Sequence, residues 1–281
     1  MQRTTTLFVI DQDTPDEAIS AQAEAALETE THLSCLLLAR TPTLPIGSFG
    51  ALPYGSIDIP DHWADTLNQS RRAQSERRDD IDTLLSRSGT FGSVQSVMCV
   101  TSELSAAVAR QARVSDVACL APNLRDAPEI EREAAYGVLF QSPAGLMLNG
   151  SPSSPRAKVF VAWNSSAAAA RAAHVALPYL KGADEVVIGC FDPVTSPDQD
   201  GADPGTDIAS WLSHHGCHVT LTQYPSGGQE IGKCIQDRAI EAGADLVVMG
   251  AYGHARMIQA VFGGTTRTMM AQTRLPVLMA H

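Results

Sequence analysis

Short apolar segments alternate with longer amphipathic segments along the whole chain. In the second half the apolar segments are KVFVAWN, VVIGC, HVTLTQY, LVVMG and PVLMA. Apolar runs of this length are typical of strands that are buried on both faces of a parallel sheet. The segments between them have helical spacing, so the alternation predicts a doubly wound α/β fold with helices on both faces of the sheet.

The second-half helices can be delimited from local signals. Ser165 and Ser166 can cap an Ala-rich helix that ends near Leu180. Three further helices are predicted at residues 208–215, 229–242 and 265–272. The helices separate the five apolar segments, which we predict to be the five strands of the second half.

The first half repeats the same order of signals. Its apolar segments are LFVID, LSCLLLA, SVQSVMC, VACLA and LMLN, with helices predicted at residues 16–30, 61–86 and 103–113 and a Pro- and Gly-rich loop at 41–60. The segment NGSPSSP, at 149–155, has the composition of a linker. We therefore predict two domains, 1–150 and 151–281, each with a five-stranded sheet. One large α/β domain whose elements are alike by chance is the alternative.

Composition excludes several classes of protein. The 281 residues are 44% hydrophobic and 18% charged, which is ordinary for a globular chain. The net charge of −11 disfavours nucleic acid and anionic lipid surfaces as partners. We find neither a run of about 18 apolar residues nor a secretory signal, so we expect a cytoplasmic protein that does not enter the membrane.

The cysteines and histidines do not indicate a metal site. Six Cys are present without a CxxC pair, so their spacing predicts neither a disulfide framework nor a zinc knuckle. The cluster HHGCH at 214–218 contains metal-binding residue types, but its Gly216 is typical of a helix end. We interpret the cluster as a basic helix C-terminus and predict no metal ligands.

The most informative segment follows the strand LVVMG. Its glycines are spaced G-x2-G-x9-G-G and are followed by two threonines: Gly250, Gly253, Gly263, Gly264, Thr265 and Thr266. Glycines after a parallel strand let backbone amides approach a ligand, and ligands bind at the carboxyl ends of such strands. The last pair opens the final helix, whose free amides can face a phosphate, and the threonines add hydroxyl donors.

Charge around this motif is also unusual for an acidic chain. No Asp or Glu follows Asp245, whereas His254 and Arg256 lie within the motif loop. An anion is tolerated in such a stretch. His254 either contacts a phosphate or is a solvated loop residue. With no acid near the glycines, we expect no side chain placed to hold Mg²⁺ as a Walker-B Asp does.

The motif resembles that of the universal stress protein family, in which G-x2-G-x9-G-(S/T) binds the phosphates and ribose of ATP. The resemblance implies two such folds in tandem, packed as an intramolecular pseudo-dimer through their last strands. It also implies ATP or a related adenine nucleotide, with or without Mg²⁺, in the second half. Asn164 stands where the family has an acid after its first strand, and Gly264 where it has Ser or Thr. Asn164 would contact the adenosine side, and the backbone near Cys190 and Phe191 would line the base.

The first half serves as an internal comparison. Aligning the strand after Asp116 with the strand after Asp245 replaces every motif glycine by Ala or Leu: Ala121, Leu124, Ala134 and Ala135. Acids follow in the same stretch, which we take as a loop: Asp126, Glu129, Glu131 and Glu133. A Leu at the close-approach position and these charges would exclude phosphate. The first domain is therefore predicted to be degenerate.

These observations predict a nucleotide-responsive binding module in stress adaptation. No residues form a nucleophile with its base, so we assign no catalytic residue. A slow Mg²⁺-dependent ATP hydrolase or phosphotransfer enzyme, and an interaction scaffold without ligand, are the alternatives. An unidentified protein partner and a homodimer of the tandem chain are further expectations.

Overall fold

The computed structural model describes residues 4–43, 61–196, 200–251 and 264–281. In the first half the elements are β1 (Thr5–Asp11), α1 (Asp16–Glu28), β2 (His32–Arg40), α2 (Asp61–Ser88), β3 (Gly92–Cys99), α3 (Thr101–Ala112), β4 (Val117–Leu120), α4 (Pro128–Gln141) and β5 (Gly145–Leu148). In the second half they are β6 (Lys158–Trp163), α5 (Ala167–Gly182), β7 (Glu185–Phe191), α6 (Thr206–His214), β8 (Val219–Tyr224), α7 (Ile231–Glu241), β9 (Leu246–Gly250), α8 (Gly264–Ala271) and β10 (Val277–Ala280).

All ten of these strands form one sheet, in the order β3-β2-β1-β4-β5-β10-β9-β6-β7-β8. Strands within each half are parallel, and β5 pairs with β10 in the antiparallel direction. The predicted α/β class with parallel strands is therefore confirmed. The two predicted five-stranded sheets are instead two parts of one continuous sheet, because the last strand of each half uses its free edge to pair with the other.

The antiparallel joint fixes the direction of every strand. The carboxyl ends of β1–β5 lie at one edge of the sheet, and those of β6–β10 lie at the opposite edge. Every residue of β5 and β10 is buried, as expected for strands in the middle of a sheet that is covered on both faces.

Both halves anchor the start of their first strand in the same way. In the first half the Asp116 carboxylate accepts a hydrogen bond from the Thr5 amide at 2.7 Å. In the second half the Asp245 carboxylate accepts two, from the Ala157 and Lys158 amides, both at 2.9 Å. These aspartates precede β4 and β9, so the alignment of the two strands made from sequence corresponds to matched positions in the fold.

The described residues contain one helix that the sequence analysis does not predict. The stretch taken as an acidic loop forms a turn of 3-10 helix, Pro122–Asp126, and then α4. Its signals are a proline at the first position, acids in the first turn, and buried residues such as Ile130, Ala134 and Val138 at helical spacing. Glu129, Glu131 and Glu133 therefore lie on a helix.

The end of α6 agrees with the prediction for HHGCH. Gly216 has φ of 85°, and its amide donates a hydrogen bond to the Ser213 carbonyl. The Cys217 amide donates one to the Leu212 carbonyl. This is the arrangement of a glycine-terminated helix. All six cysteines are buried free thiols. No helix among the described residues is both long and apolar enough to span a membrane.

We expect Asp245→Ala to lower the free energy of unfolding by about 1–2 kcal/mol, because two strand amides lose their acceptor. Asp116→Ala is the matched comparison and should cost about half as much, since one amide is affected. Urea denaturation measures both. Asp245→Asn keeps an acceptor oxygen and should recover most of the loss; equal losses for Ala and Asn would contradict this account.

Candidate functional site

Three adjacent strands bring the predicted residues of the second half to one edge of the sheet. In the order β9-β6-β7, Trp163 pairs with Cys190, and Ala162 pairs with Met249. Asn164, which follows β6, therefore lies between the last residues of β7 and Gly250 at the end of β9. This edge is the carboxyl edge of the second half, where ligands of open α/β sheets bind.

Asn164 is exposed and forms part of the turn that starts α5. Its Oδ1 accepts a hydrogen bond from the Ser166 hydroxyl at 2.7 Å. Ser166 in turn caps α5 by accepting the Ala169 amide at 3.1 Å, as the sequence predicts. Asn164 Nδ2 has no hydrogen bond to a described residue, so it remains a donor for a ligand at this edge.

Gly250 is required by helix packing. A Cβ at this position would lie 2.4 Å from the Ala169 amide nitrogen and 2.6 Å from the Ala168 carbonyl carbon. The first turn of α5 thus occupies the space that the sequence assigned to a ligand approaching Gly250. The contact brings the amino end of α5, which carries a partial positive charge, against the strand end.

Cys190 and Phe191 point their side chains into the protein. Cys190 is 1% exposed, and burial raises the pKa of its thiol to about 11, with Asp200 and Asp207 adding to the effect. The thiol is therefore neutral at physiological pH. The Phe191 ring stacks on Tyr224 with centroids 5.4 Å apart. With the side chains engaged in this way, the backbone is what these two residues can offer to a base.

The first turn of α8 carries the described part of the second glycine pair. Gly264 is exposed, and the nearest atom to a Cβ built there is the Glu230 Oε1 at 3.7 Å. Thr265 is partly exposed, whereas Thr266 is 3% exposed, so its hydroxyl faces inward. Gly253, His254 and Gly263 lie outside the described residues.

Glu230 is a site residue that the sequence reasoning missed. It is the residue before α7, and its carboxylate accepts a hydrogen bond from the Thr268 hydroxyl on α8. The sequence after Asp245 contains no acid, but Glu230 belongs to an earlier element that packs beside α8. The expectation of no acid near the glycines is therefore wrong at Gly264. The sequence signal that could have identified Glu230 is its position in the loop after a predicted strand of a parallel sheet, because such loops lie at the carboxyl edge.

A second acid lies at the same edge. Asp192 directly follows β7, and its carboxylate accepts the Ser226 amide at 2.8 Å. Hydrogen bonds from the Ser226 side chain and backbone hold the pKa of this carboxyl below its ordinary value. Asp192 therefore stays ionised at neutral pH and, together with Glu230, makes the edge less favourable to an anion than the sequence predicts.

The matched edge of the first half is satisfied internally. Strand register places Asp11 at the position of Asn164, because Val9 pairs with Leu120 as Ala162 pairs with Met249. The Asp11 carboxylate accepts the Thr14 hydroxyl at 3.0 Å and the Asn123 amide at 2.8 Å. The first half thus has the acid that the second half lacks, and uses it within its own fold.

The replaced glycine positions of the first half belong to the core. Leu124 is fully buried. Ala135 lies within α4, whereas its counterpart Gly264 begins α8; Ala134, also within α4, is matched with Gly263, which lies outside the described residues. The Ala135 amide therefore takes part in the hydrogen bonds of a helix interior, whereas the first amides of a helix have no partner within it.

No protein-family model matches the chain, and no curated protein matches it. A universal stress protein from Archaeoglobus fulgidus has a similar structure, with 14% identity, a TM-score of 0.67, and coverage of 99% of this chain and 96% of that chain. A second structure, from Pseudomonas aeruginosa and provisionally named a universal stress protein, has 15% identity, a TM-score of 0.50, and coverage of 99% and 93%. The chain therefore has the fold of universal stress proteins, as the resemblance implies.

We expect Gly250→Ala to lower the free energy of unfolding by about 1–3 kcal/mol, because the added methyl group displaces the α5 backbone. Gly264→Ala is the matched control, since its Cβ would make only an ordinary contact with Glu230 Oε1 at 3.7 Å, and should change stability by less than about 0.5 kcal/mol. Chemical denaturation of both variants gives the comparison. A tolerated Gly250→Ala would mean that α5 does not require the glycine.

Proposed function

We propose that the second half binds ATP or a related adenine nucleotide at its carboxyl edge, and that the protein is a nucleotide-responsive module of a stress response. The observation that carries the proposal is the start of α8. Gly264 opens this helix at the edge where the site strands end, and among the described residues a Cβ built there would come within 4 Å of one atom only, the Glu230 Oε1 at 3.7 Å. Free amides at a helix start, approached without a Cβ, suit a phosphate.

Each part of the nucleotide has a candidate partner. The first turn of α8, with the Thr265 hydroxyl, would hold phosphates, and the sequence motif adds Gly253, His254 and Gly263. Asn164 would donate from Nδ2 to the adenosine side. Backbone groups of Cys190 and Phe191 would line the base. Mg²⁺ bound with the phosphates would offset repulsion by Glu230.

We further propose that the chain is a tandem of two domains, 1–150 and 151–281, that form an intramolecular pseudo-dimer. The shared element order, the matched contacts of Asp116 and Asp245, and the antiparallel β5–β10 pairing support this. The first domain would not bind nucleotide in the same way, since Asp11 and Leu124 are engaged internally.

An interaction scaffold without ligand is the second candidate, and two observations favour it. Glu230 places a carboxylate beside Gly264, and α5 fills the space beside Gly250. Both reduce the room and the positive potential available to a phosphate. A hydrolase is a separate question, answered by assaying phosphate release with and without Mg²⁺ on a preparation that binds ATP.

Titration calorimetry with ATP and ADP tests the proposal, together with mass spectrometry of small molecules released on denaturation. Gly264→Asp should weaken ATP binding at least about tenfold, because a negative charge then occupies the phosphate position. It should leave the fold intact, since an acid suits a helix start.

Glu230→Gln is the control, and it should change the affinity for ATP in the opposite direction. It keeps an oxygen for the Thr268 hydroxyl and removes one charge, so ATP should bind about fivefold more tightly, the size of a ~1 kcal/mol charge interaction in water. A folded wild-type protein that binds neither nucleotide and releases none would overturn the proposal in favour of the scaffold.

A further inference from the structure

The carboxyl end of α8 is held by a side chain from the first half. Arg125 donates from Nη2 to the Gln272 carbonyl at 3.1 Å and from Nη1 to the Ala271 carbonyl at 3.4 Å. The last carbonyls of a helix have no partner within it, so a cation at this end both satisfies them and complements the helix dipole.

Asn149 completes the contact. Its Nδ2 donates to the Gln272 carbonyl at 2.8 Å and to the Leu275 carbonyl at 3.1 Å, and its Oδ1 accepts from Arg125 Nη2 at 2.7 Å. The residue adopts φ of 57°, which Asn tolerates better than most residues. Arg125 and Asn149, which we call the clamp, thus bond each other, the Ala271 carbonyl at the end of α8, and the Gln272 and Leu275 carbonyls that follow it.

Topology explains why the clamp meets this end of the helix. Arg125 follows β4 and Asn149 follows β5, so both lie at the carboxyl edge of the first half. Because β5 and β10 are antiparallel, that edge is the amino edge of the second half, where α8 ends before β10. The proposed phosphate site lies at the other end of the helix, so the clamp can act on it only through α8.

A short helix transmits such a constraint. α8 has eight residues and is about 12 Å long, too short to be stable alone. Beyond the clamp, α8 is held by two buried side chains, Thr266 and Met269, by the hydrogen bond from the Thr268 hydroxyl to Glu230, and by close packing against α7. A Cβ at Gly232 on α7 would lie 2.9 Å from Thr268. Loss of the clamp frees the carbonyl end and lets the helix shift or unwind toward its first turn.

We infer that Arg125 is a positioning residue for nucleotide binding, with Asn149 as its partner: the clamp holds α8 so that its first turn presents its amides to phosphate. The inference rests on the proposed function of that turn. It gives the first half a role in the site, since Arg125 belongs to the segment that replaces the glycine loop.

The test compares ATP, ADP and adenosine by titration calorimetry on the full chain. Arg125→Met and Asn149→Gly each remove part of the clamp, the latter without a backbone penalty at positive φ. Arg132→Met is the control, because Arg132 is an exposed first-half arginine paired with the neighbouring Glu133. Arg125→Lys keeps the charge and loses the planar fork.

We expect Arg125→Met and Asn149→Gly to bind ATP about tenfold more weakly. Adenosine affinity should stay within about twofold of wild type, because adenosine has no phosphate to meet α8. Arg125→Lys should fall between, and Arg132→Met should match wild type. Hydrogen exchange should be faster in residues 266–275 of the clamp variants and unchanged in β1 and β2.

Three results would overturn the inference. ATP affinity unchanged in both clamp variants, with wild type binding, removes the inference and leaves the proposed function. Equal losses for ATP and adenosine indicate general destabilisation. A wild-type protein that binds no nucleotide removes the proposed function and the inference with it. Should Arg125→Met fail to fold, Asn149→Gly and Arg125→Lys provide the same comparison.

Discussion

Backbone pairing between β5 and β10 is the constraint on which the arrangement of both halves depends. Each of these strands is fully buried and would otherwise end its own sheet with an open row of amides and carbonyls. Pairing satisfies both rows at once and joins two parallel sets into one sheet. Because the pairing is antiparallel, it also sends the carboxyl edges of the two halves to opposite sides, so ligand sites at these edges would lie far apart.

The second constraint is electrostatic and concerns the edge of the second half. The helix starts of α5 and α8 contribute partial positive charge there, while Asp192 and Glu230 contribute full negative charges. A phosphate would gain from the first pair and lose to the second, and water and salt screen both, because Gly264, Asp192 and Glu230 are all exposed. In the proposed function, nucleotide binding would therefore depend on how closely the phosphate approaches the amides of α8, which would make the position of that helix decisive.

Local signals predicted much of this molecule, because they report on single elements. Each predicted strand is present, and the caps at Ser166 and Gly216 hold as expected. What could not be derived depends on neighbours that are distant in sequence. Glu230 reaches α8 through the packing of α7 on it, and Arg125 reaches it through the antiparallel joint. Helix α4 can be predicted from the helical spacing of its apolar residues. It is missing from the sequence analysis because that stretch was aligned with the glycine loop of the second half.

The two halves differ at the matched carboxyl edges of their sheets. The acid after the first strand survives as Asp11 in the half without glycines, and the glycines survive in the half with Asn164. In the first half the turn after β4 lacks these glycines and brings Arg125 to the end of α8. The first half makes two contacts with the second: β5 covers the edge of β10, and Arg125 and Asn149 bond the carboxyl end of α8. In the proposed function, the first half would thereby support a nucleotide site that lies in the second half.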